Sequence, residues 1–355
     1  MLPTVPPRDT DDPGATKAAV EARYRGLRGG RWSVLAGGLI HRTHRVDAPA
    51  GRFVVQEVSP IFDPVVHEDI EAVTAHLARK GIVTPRLLAA DDGARWIEAG
   101  GRVIRVLTFV EGRAIERVTD PAVARAAGAA LGAFHAALSD LDHEFRSVRV
   151  AHDPARHVGA LVVAVDAHAG HRLHDEVARL AEAIAAEAAG LPDVGGQPRR
   201  IVHGDPKITN LLFDPAVPGR PVAWVDLDTC GRQVLAYEFG DAVRSWTNPA
   251  GEEGADARVD PDLFRGAVAG YASAVQDLAP EEREGLVVGV EIIALELASR
   301  FATDALEESY FGWDPARHPA SGEHQLARAR GQWALYRAAR AGRAVRERIV
   351  RDLLG

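Results

Sequence analysis

Ile70, Val73, Thr74 and Leu77 recur at the spacing of one helical face, and Asp63-Pro64 before them opens a helix, which predicts a helix running to about Arg79. The shorter apolar-rich runs around it read as strands. Arg31–Leu35, Thr43–Val46 and Arg52–Val58 form one group, with Ala48-Pro49-Ala50-Gly51 as the turn between the last two. Leu87–Ala90 and Ala94–Glu98 flank an Asp91-Asp92-Gly93 turn, and Arg102–Val110 is one strand more. Residues 31–110 are therefore expected to form an antiparallel sheet with one inserted helix. Ahead of them, residues 1–30 are expected to hold a mobile tail and a short amphipathic helix over about Thr16–Leu27.

After Glu111-Gly112 the pattern changes. Pro121 starts a helix to about Leu138, and alanine-rich helices fill 153–189. Gly190–Pro198 is a loop. Leu211–Phe213 and Val222–Val225 read as strands around a Pro/Gly-rich turn, and helices cover most of 235–245, 261–277, 280–307 and 324–353. Residues 111–355 thus read as mainly helical with one small hairpin. No internal repeat is visible.

Composition narrows the classes. The chain has 355 residues, 46% of them apolar, enough for two domains or one large two-lobed one. A net charge of −8 offers no global basic field for nucleic acid. Cys230 is the only cysteine, which excludes an intrachain disulfide and a four-cysteine zinc site. No run of 18 apolar residues occurs, and MLPTVPPRDTDDPGATK reads as neither signal peptide nor anchor. The expectation is a soluble cytoplasmic protein with no membrane partner; nothing in the sequence indicates its oligomeric state. Of 42 basic residues 39 are Arg, and only Asn210 and Asn248 are Asn. The scarce Lys207 and Asn210 fall in one short segment.

That segment is Ile-Val-His203-Gly204-Asp205-Pro206-Lys207-Ile208-Thr209-Asn210, followed by Val225-Asp226-Leu227-Asp228-Thr229. Phosphoryl transfer needs a group that positions and deprotonates the acceptor, and metal ions that neutralise the phosphates. Asp205 would orient an acceptor hydroxyl and receive its proton. Asn210, five residues on, would offer its amide oxygen to Mg²⁺, a hard cation that prefers oxygen. The intervening hairpin would return Asp226 to the side of Asn210 as a charged metal ligand. An isolated His-Gly-Asp is an ordinary turn; the Asn at this offset and the returning Asp favour the catalytic reading. Lys207 reads equally as a phosphate contact and as a solvated lysine. His203 reads as structural, hydrogen-bonding backbone to hold the loop.

On these residues the chain resembles the aminoglycoside phosphotransferase and choline kinase superfamily, and Leu131–His135 is similar to a helix ending in His common there. It resembles the N-acetylhexosamine 1-kinases more closely, through Phe53–Gln56, Asp205–Asn210, Val225–Thr229, Glu238–Arg244, and Arg300–Glu307 with Tyr310-Phe311. The resemblance implies an α+β, two-lobed protein-kinase-like fold with a small antiparallel-sheet N-lobe (31–110) and a large mainly helical C-lobe (111–355). It implies ATP as co-substrate, Mg²⁺, and a small-molecule hydroxyl acceptor, most closely a sugar. It assigns catalysis to Asp205 and the metal to Asn210 and Asp226. Nucleotide contacts fall on Gln56, Phe109, Glu111 and Lys207, and on Gly37 and Gly38 through backbone N–H groups, although that glycine pair reads equally as a simple turn. Candidate acceptor contacts are His41, Asp228, Arg244, Arg300 and Tyr310; Asp228 also reads as a capping acid. Asp241 is expected to brace the catalytic loop.

Where wider relatives carry a strand-three lysine, this chain carries Gln56. Glu68 and Glu71 on the inserted helix then read as relics of an ion pair or as solvated acids. Two alternatives stand beside the sugar kinase. An aminoglycoside kinase would use the acids Glu252, Glu253, Asp256, Asp260 and Asp262, which equally suit a solvated loop. A nucleotide-binding pseudokinase is motivated by the missing lysine and opposed by the intact Asp205, Asn210 and Asp226. The His/Arg run over His318–Arg330 reads as solvated.

Overall fold

Val20, Tyr24 and Leu27 form the apolar stripe of the first helix, α1 (Pro13–Arg23), and of the 3-10 turn after it (Arg25–Leu27). The stripe is buried against Val46, Val55, Ile104 and Val106 of a five-stranded antiparallel sheet. The helix stops earlier than expected because Gly26, Gly29 and Gly30 propagate it poorly. In this computed structural model the described residues are 13–35, 40–147 and 152–355. Most of the expected N-terminal tail, and the Gly37-Gly38 pair, lie outside them.

The strands are β1 (Arg31–Val34), β2 (Arg42–Ala48), β3 (Gly51–Val58), β4 (Ile97–Ala99) and β5 (Arg102–Thr108), in the order β1-β2-β3-β5-β4. Alternation along them sends Val46, Val55 and Val106 toward α1 and Thr43, Gln56 and Arg105 to the other face. The inserted helix α2 (Val66–Arg79) buries Ile70, Val73, Thr74 and Leu77, the predicted face. Its acids are paired: Glu71 with Arg95, Glu68 with Arg146. Leu87–Ala90 is not a strand. Leu87 makes a single bridge to Leu107, and the chain then bends away at Asp91, whose carboxylate accepts the Arg25 N–H at 3.1 Å.

The chain divides into two compact units. The first holds the described residues through Glu111 with Asp142–Ser147 and Ser309–Gly312. Asp69 anchors the 142–147 segment by accepting the Arg146 and Ser147 N–H groups at 3.0 and 2.8 Å.

The second unit is mainly helical: α3 (Pro121–Leu138), α4 (Pro154–Ala167), α5 (His174–Ala188), α6 (Leu235–Trp246), α7 (Pro261–Ala274), α8 (Pro280–Glu307), α9 (Ser321–Ala341) and α10 (Arg343–Leu354). The single helix expected over 324–353 is broken at Gly342, where Arg346 reaches the Ala339 and Val287 carbonyls and pairs with Glu291. In place of one small hairpin there are two strand pairs, β7 (Leu211–Phe213) with β8 (Pro221–Trp224), and β6 (Arg199–Val202) with β9 (Gly231–Val234). Strands of four residues are too short for periodicity to announce. Among the described residues no helix is long and apolar enough to cross a membrane. A small antiparallel sheet carrying one helix, together with a large helical part, is the protein-kinase-like fold.

α3 and α7 cross with their backbones almost touching. A Cβ on Gly270 would lie 1.9 Å from the Arg125 carbonyl oxygen, and one on Gly128 2.1 Å from that of Ala267. Gly270→Ala is therefore expected to destabilise by about 1–3 kcal/mol, the usual cost of overpacking. Gly159→Ala on α4, where a Cβ meets nothing within 4 Å, should be neutral or stabilising. Denaturant unfolding of the two variants checks this; equal midpoints would show that the crossing yields.

Candidate active site

The strand pairs are nested. β7 and β8 form the inner hairpin, and β6 and β9 pair outside it. The two connections between inner and outer pairs, His203–Asn210 and Val225–Cys230, must then run side by side. They are stitched together by Val225 N–H to the Asn210 carbonyl (2.9 Å), His203 Nε2 to the Val225 carbonyl (2.9 Å), and the Thr229 hydroxyl to the His203 carbonyl (3.0 Å). The expected return of Asp226 toward Asn210 is thus enforced from both sides.

Two backbone positions on these connections are unusual. Gly204 has φ +83°, and a Cβ there would lie 2.3 Å from the Thr229 carbonyl oxygen, so only glycine fits. Asp226 has φ 66° and ψ 59°, the left-handed region that Asp tolerates better than most residues. Such strain persists where surrounding structure over-determines it.

Helix α6 holds the first connection. Glu238, 1% exposed, accepts the His203 and Gly204 N–H groups, each at 2.9 Å, and His135 Nε2 at 3.3 Å. The other ring nitrogen of His135 lies 2.8 Å from the Tyr271 hydroxyl. Ser245 accepts the Ile208 N–H at 2.9 Å, and the Trp246 indole donates to the Pro206 carbonyl at 2.9 Å. The bracing expected of Asp241 comes instead from Glu238; Asp241 accepts from Arg244 at 2.8 Å. An acid inside an otherwise apolar helix start was the available signal for Glu238, since a buried carboxylate must be paired.

On the loop, Lys207 Nζ donates to Asp205 Oδ2 at 2.5 Å. The Asn210 side-chain NH₂ donates to the Asp205 carbonyl at 2.8 Å and to the same Oδ2 at 3.1 Å. Both of these side-chain contacts fall on Oδ2 and neither on Oδ1. Burial pushes the Asp205 carboxyl up, but the Lys207 ammonium outweighs it and holds the group below the usual carboxylate range. Burial in turn pulls the Lys207 ammonium down, and Asp205 and Asp226 more than reverse this, so Lys207 stays charged.

The donor set suits a hard cation. With its NH₂ committed to Asp205, Asn210 has its amide oxygen to offer, and Asp226 and Asp228 bring carboxylate oxygens within 4.8 Å of one another. Asp228 is 3% exposed.

The remaining predicted residues are distributed as follows. In the first unit, Gln56 bonds Arg105 and Thr43. The Phe109 ring lies beneath the Arg45 and Arg52 guanidinium carbons, at 5.1 and 5.4 Å, and Glu111 pairs with Arg52. His41 accepts the Ser59 N–H at 3.1 Å and lies against Phe62; Tyr310 meets Phe311 edge-on. In the second unit, Arg244 is buried between Asp241 and Glu252, and Arg328 closes on the other oxygen of Glu252 at 2.8 Å. Arg300 stands 3.6 Å from Glu296, which also holds His152 at 3.0 Å. His318 and His324 are not solvated. Their rings stack at 4.2 Å, and both reach Glu253, which Arg317 also grips.

The fold and this loop define a phosphotransferase of the protein-kinase-like class. The phosphotransferase enzyme family matches residues 31–274, most of the chain, and the chain belongs to that family. Among solved structures it is similar to a microcompartment-associated aminopropanol kinase, at 18% identity and a TM-score of 0.62 over 94% of this chain and 99% of that one. An amicoumacin kinase in complex with AMP-PNP, Ca²⁺ and Ami matches at 15% identity and a TM-score of 0.61, over 90% and 92%. An aminoglycoside phosphotransferase from Alicyclobacillus acidocaldarius matches at 16% and 0.59, over 95% and 98%. At these identities the likeness is one of fold.

The Asp205–Lys207 pair generates a pH prediction. If Asp205 serves as the base, its ionised form is the competent one, and activity is then lost as pH falls through its lowered pKa. Without Lys207 the effect of burial remains and the pKa rises. Lys207→Met should therefore shift the acid limb of kcat/KM to higher pH. An unmoved limb in the pH profile would show that another group sets it.

Proposed function

We propose that the chain is a kinase that transfers the γ-phosphoryl group of Mg·ATP to a hydroxyl of a small molecule, with the anomeric hydroxyl of an N-acetylhexosamine or close analogue as acceptor. The observation that carries this reading is the Asp205 carboxylate. It is fixed at Oδ2 by Lys207 and Asn210 and is 25% exposed. Asp205 would accept the hydroxyl proton at Oδ1 as the acceptor oxygen bonds to phosphorus and ADP departs. Asn210 and Asp226, with Asp228 beside it, would hold Mg²⁺, whose chemistry is to neutralise phosphate charge. A cytoplasmic setting, where Mg·ATP is supplied, goes with this role.

Two observations favour a sugar over a polycationic drug. Three of the five acids named for an aminoglycoside are already engaged: Glu252 on Arg244 and Arg328, Glu253 on Arg317 and two histidines, and Asp260 on capping α7. In addition, Lys207 makes Asp205 a weaker base. A weak base suits the anomeric hydroxyl, which is more acidic than its ring neighbours. Arg300 and Asp228 are the proposed acceptor contacts of the second unit.

Asp205→Asn should lower kcat by roughly 10²–10⁴-fold with little change in nucleotide affinity. Retention of half the wild-type turnover would remove Asp205 from the mechanism. For the acceptor, ADP release measured against hexoses, N-acetylhexosamines, aminoglycosides, choline and homoserine should favour the N-acetylhexosamines. Phosphorus NMR of the product should show coupling to the C1 proton. A 6-phosphate or a phosphorylated drug as best product would overturn the acceptor assignment and leave the kinase reading standing.

A further inference from the structure

Glu296 lies on α8 and is fully buried. Burial pushes its carboxyl up, but His152 and Arg300 more than reverse this, so it is held as an anion. Its Oε1 accepts the His152 Nδ1–H at 3.0 Å. Its Oε2, buried as well, has no hydrogen-bond partner among the described residues. A buried acceptor left empty lowers stability, so this one calls for an explanation.

The natural partner is close by. Arg300 follows one turn later on the same helix, in the order, acid first, that favours such a pair. Elsewhere in the chain a buried glutamate is closed by an arginine fork: Arg200 takes both oxygens of Glu282, and Arg343 both of Glu291. Arg300 does not do this. Its Nη1 stands 3.6 Å from Oε1, an ion pair beyond hydrogen-bond length, and Oε2 stays empty. Glu296 therefore attracts the guanidinium without consuming its N–H groups. His157 Nε2 is farther from the same oxygen, at 4.0 Å, and burial pushes that ring down to about 4, so it stays neutral. Of the ion pair, Arg300 is the half that faces outward: its side chain is 20% exposed and that of Glu296 not at all. The charge of Asp241 acts on both His152 and Lys207, so the cluster lies within electrostatic reach of the catalytic loop.

We propose that Glu296 is a positioning residue that holds the Arg300 guanidinium from behind by charge alone, so that its N–H groups can meet oxygen atoms of the acceptor, while His152 fixes the carboxylate. A closed fork would satisfy Oε2 and take those N–H groups from the acceptor. The inference deepens the kinase reading above and rests on Arg300 as an acceptor contact there.

Glu296→Gln, Arg300→Ala and the double variant test it. Glutamine keeps the shape and an oxygen for the His152 Nδ1–H but removes the charge that holds Arg300. With N-acetylglucosamine as acceptor, each single variant should raise the acceptor KM about tenfold, the scale of a hydrogen bond to a charged group. The affinity for AMP-PNP with Mg²⁺, measured by calorimetry, should be unchanged, and kcat should stay within about twofold. The double variant should be no worse than Arg300→Ala, because Glu296 acts only through Arg300. A wild-type acceptor KM in Glu296→Gln, an equal loss of AMP-PNP affinity, or losses that add in the double variant would overturn the proposal and leave Arg300 as a contact. Should Glu296→Gln not fold, position 152 decides. His152→Asn keeps an N–H near Oε1 and should leave the acceptor KM near wild type, whereas His152→Ala should raise it; equal values would overturn the proposal. An unchanged acceptor KM in Arg300→Ala would overturn both the contact and the proposal, and no ADP release from the wild-type chain with N-acetylglucosamine would overturn the acceptor reading and the proposal with it.

Discussion

The candidate site depends on one buried carboxylate. Glu238 stabilises the structure only because its lone pairs are occupied: two by consecutive backbone N–H groups of the loop and one by His135. Burial pushes this carboxyl up, and the imidazole and amide contacts bring it below its usual range, so it is held as an anion. A charge in that position is intolerant of movement by any partner. It therefore ties the His203–Gly204 turn to three helices at once: α6, which carries Glu238; α3, which carries His135; and α7, which carries Tyr271. The close α3–α7 crossing keeps the last two in register. Loop geometry is thus set by rigid elements, the arrangement that positions reacting groups best.

From that anchor the remaining geometry follows by short steps. The anchored turn puts Gly204 against Thr229, which fixes the spacing of the two connections. That spacing lets Asn210 and Val225 share a backbone hydrogen bond, and the next residue, Asp226, is forced into the left-handed region. The strain at Asp226 is sustained by contacts on both sides of it, not by its own preference.

What was legible in the sequence divides along the same physical lines. The α3 and α8 bounds, and the buried face of α2, were readable because long periodic elements carry many votes for one assignment. That Asp205, Lys207 and Asn210 meet was readable because the three fall within one short segment. The β6–β9 pair was not, because four residues give no period and pairing partners lie about 30 residues apart. Glu238 was passed over as a brace in favour of Asp241 because the choice depends on which turn of α6 meets the loop, a fact of packing. His318 and His324 were read as solvated for the same reason: only the fold brings Glu253, some 65 residues away, to them.

The contrast between the chain's many arginines and its three lysines has a physical logic at the site. Where this molecule needs a fixed ion pair, it uses the arginine fork. Arg200 grips both oxygens of Glu282, Arg343 both of Glu291, and Arg172 both of Glu323. Bidentate pairing of that kind engages both oxygens of a carboxylate, which suits a strut and disables a base. Asp205 faces Lys207 instead. An ammonium is a compact point charge, and here it binds Oδ2 alone. The carboxylate is kept ionised, its orientation is fixed with the help of Asn210, and Oδ1 is left to accept a hydrogen bond. An arginine at position 207 would supply the same charge but could take both oxygens. In a chain that otherwise relies on arginine, the lysine is therefore placed where an ion pair must leave half of its partner unused.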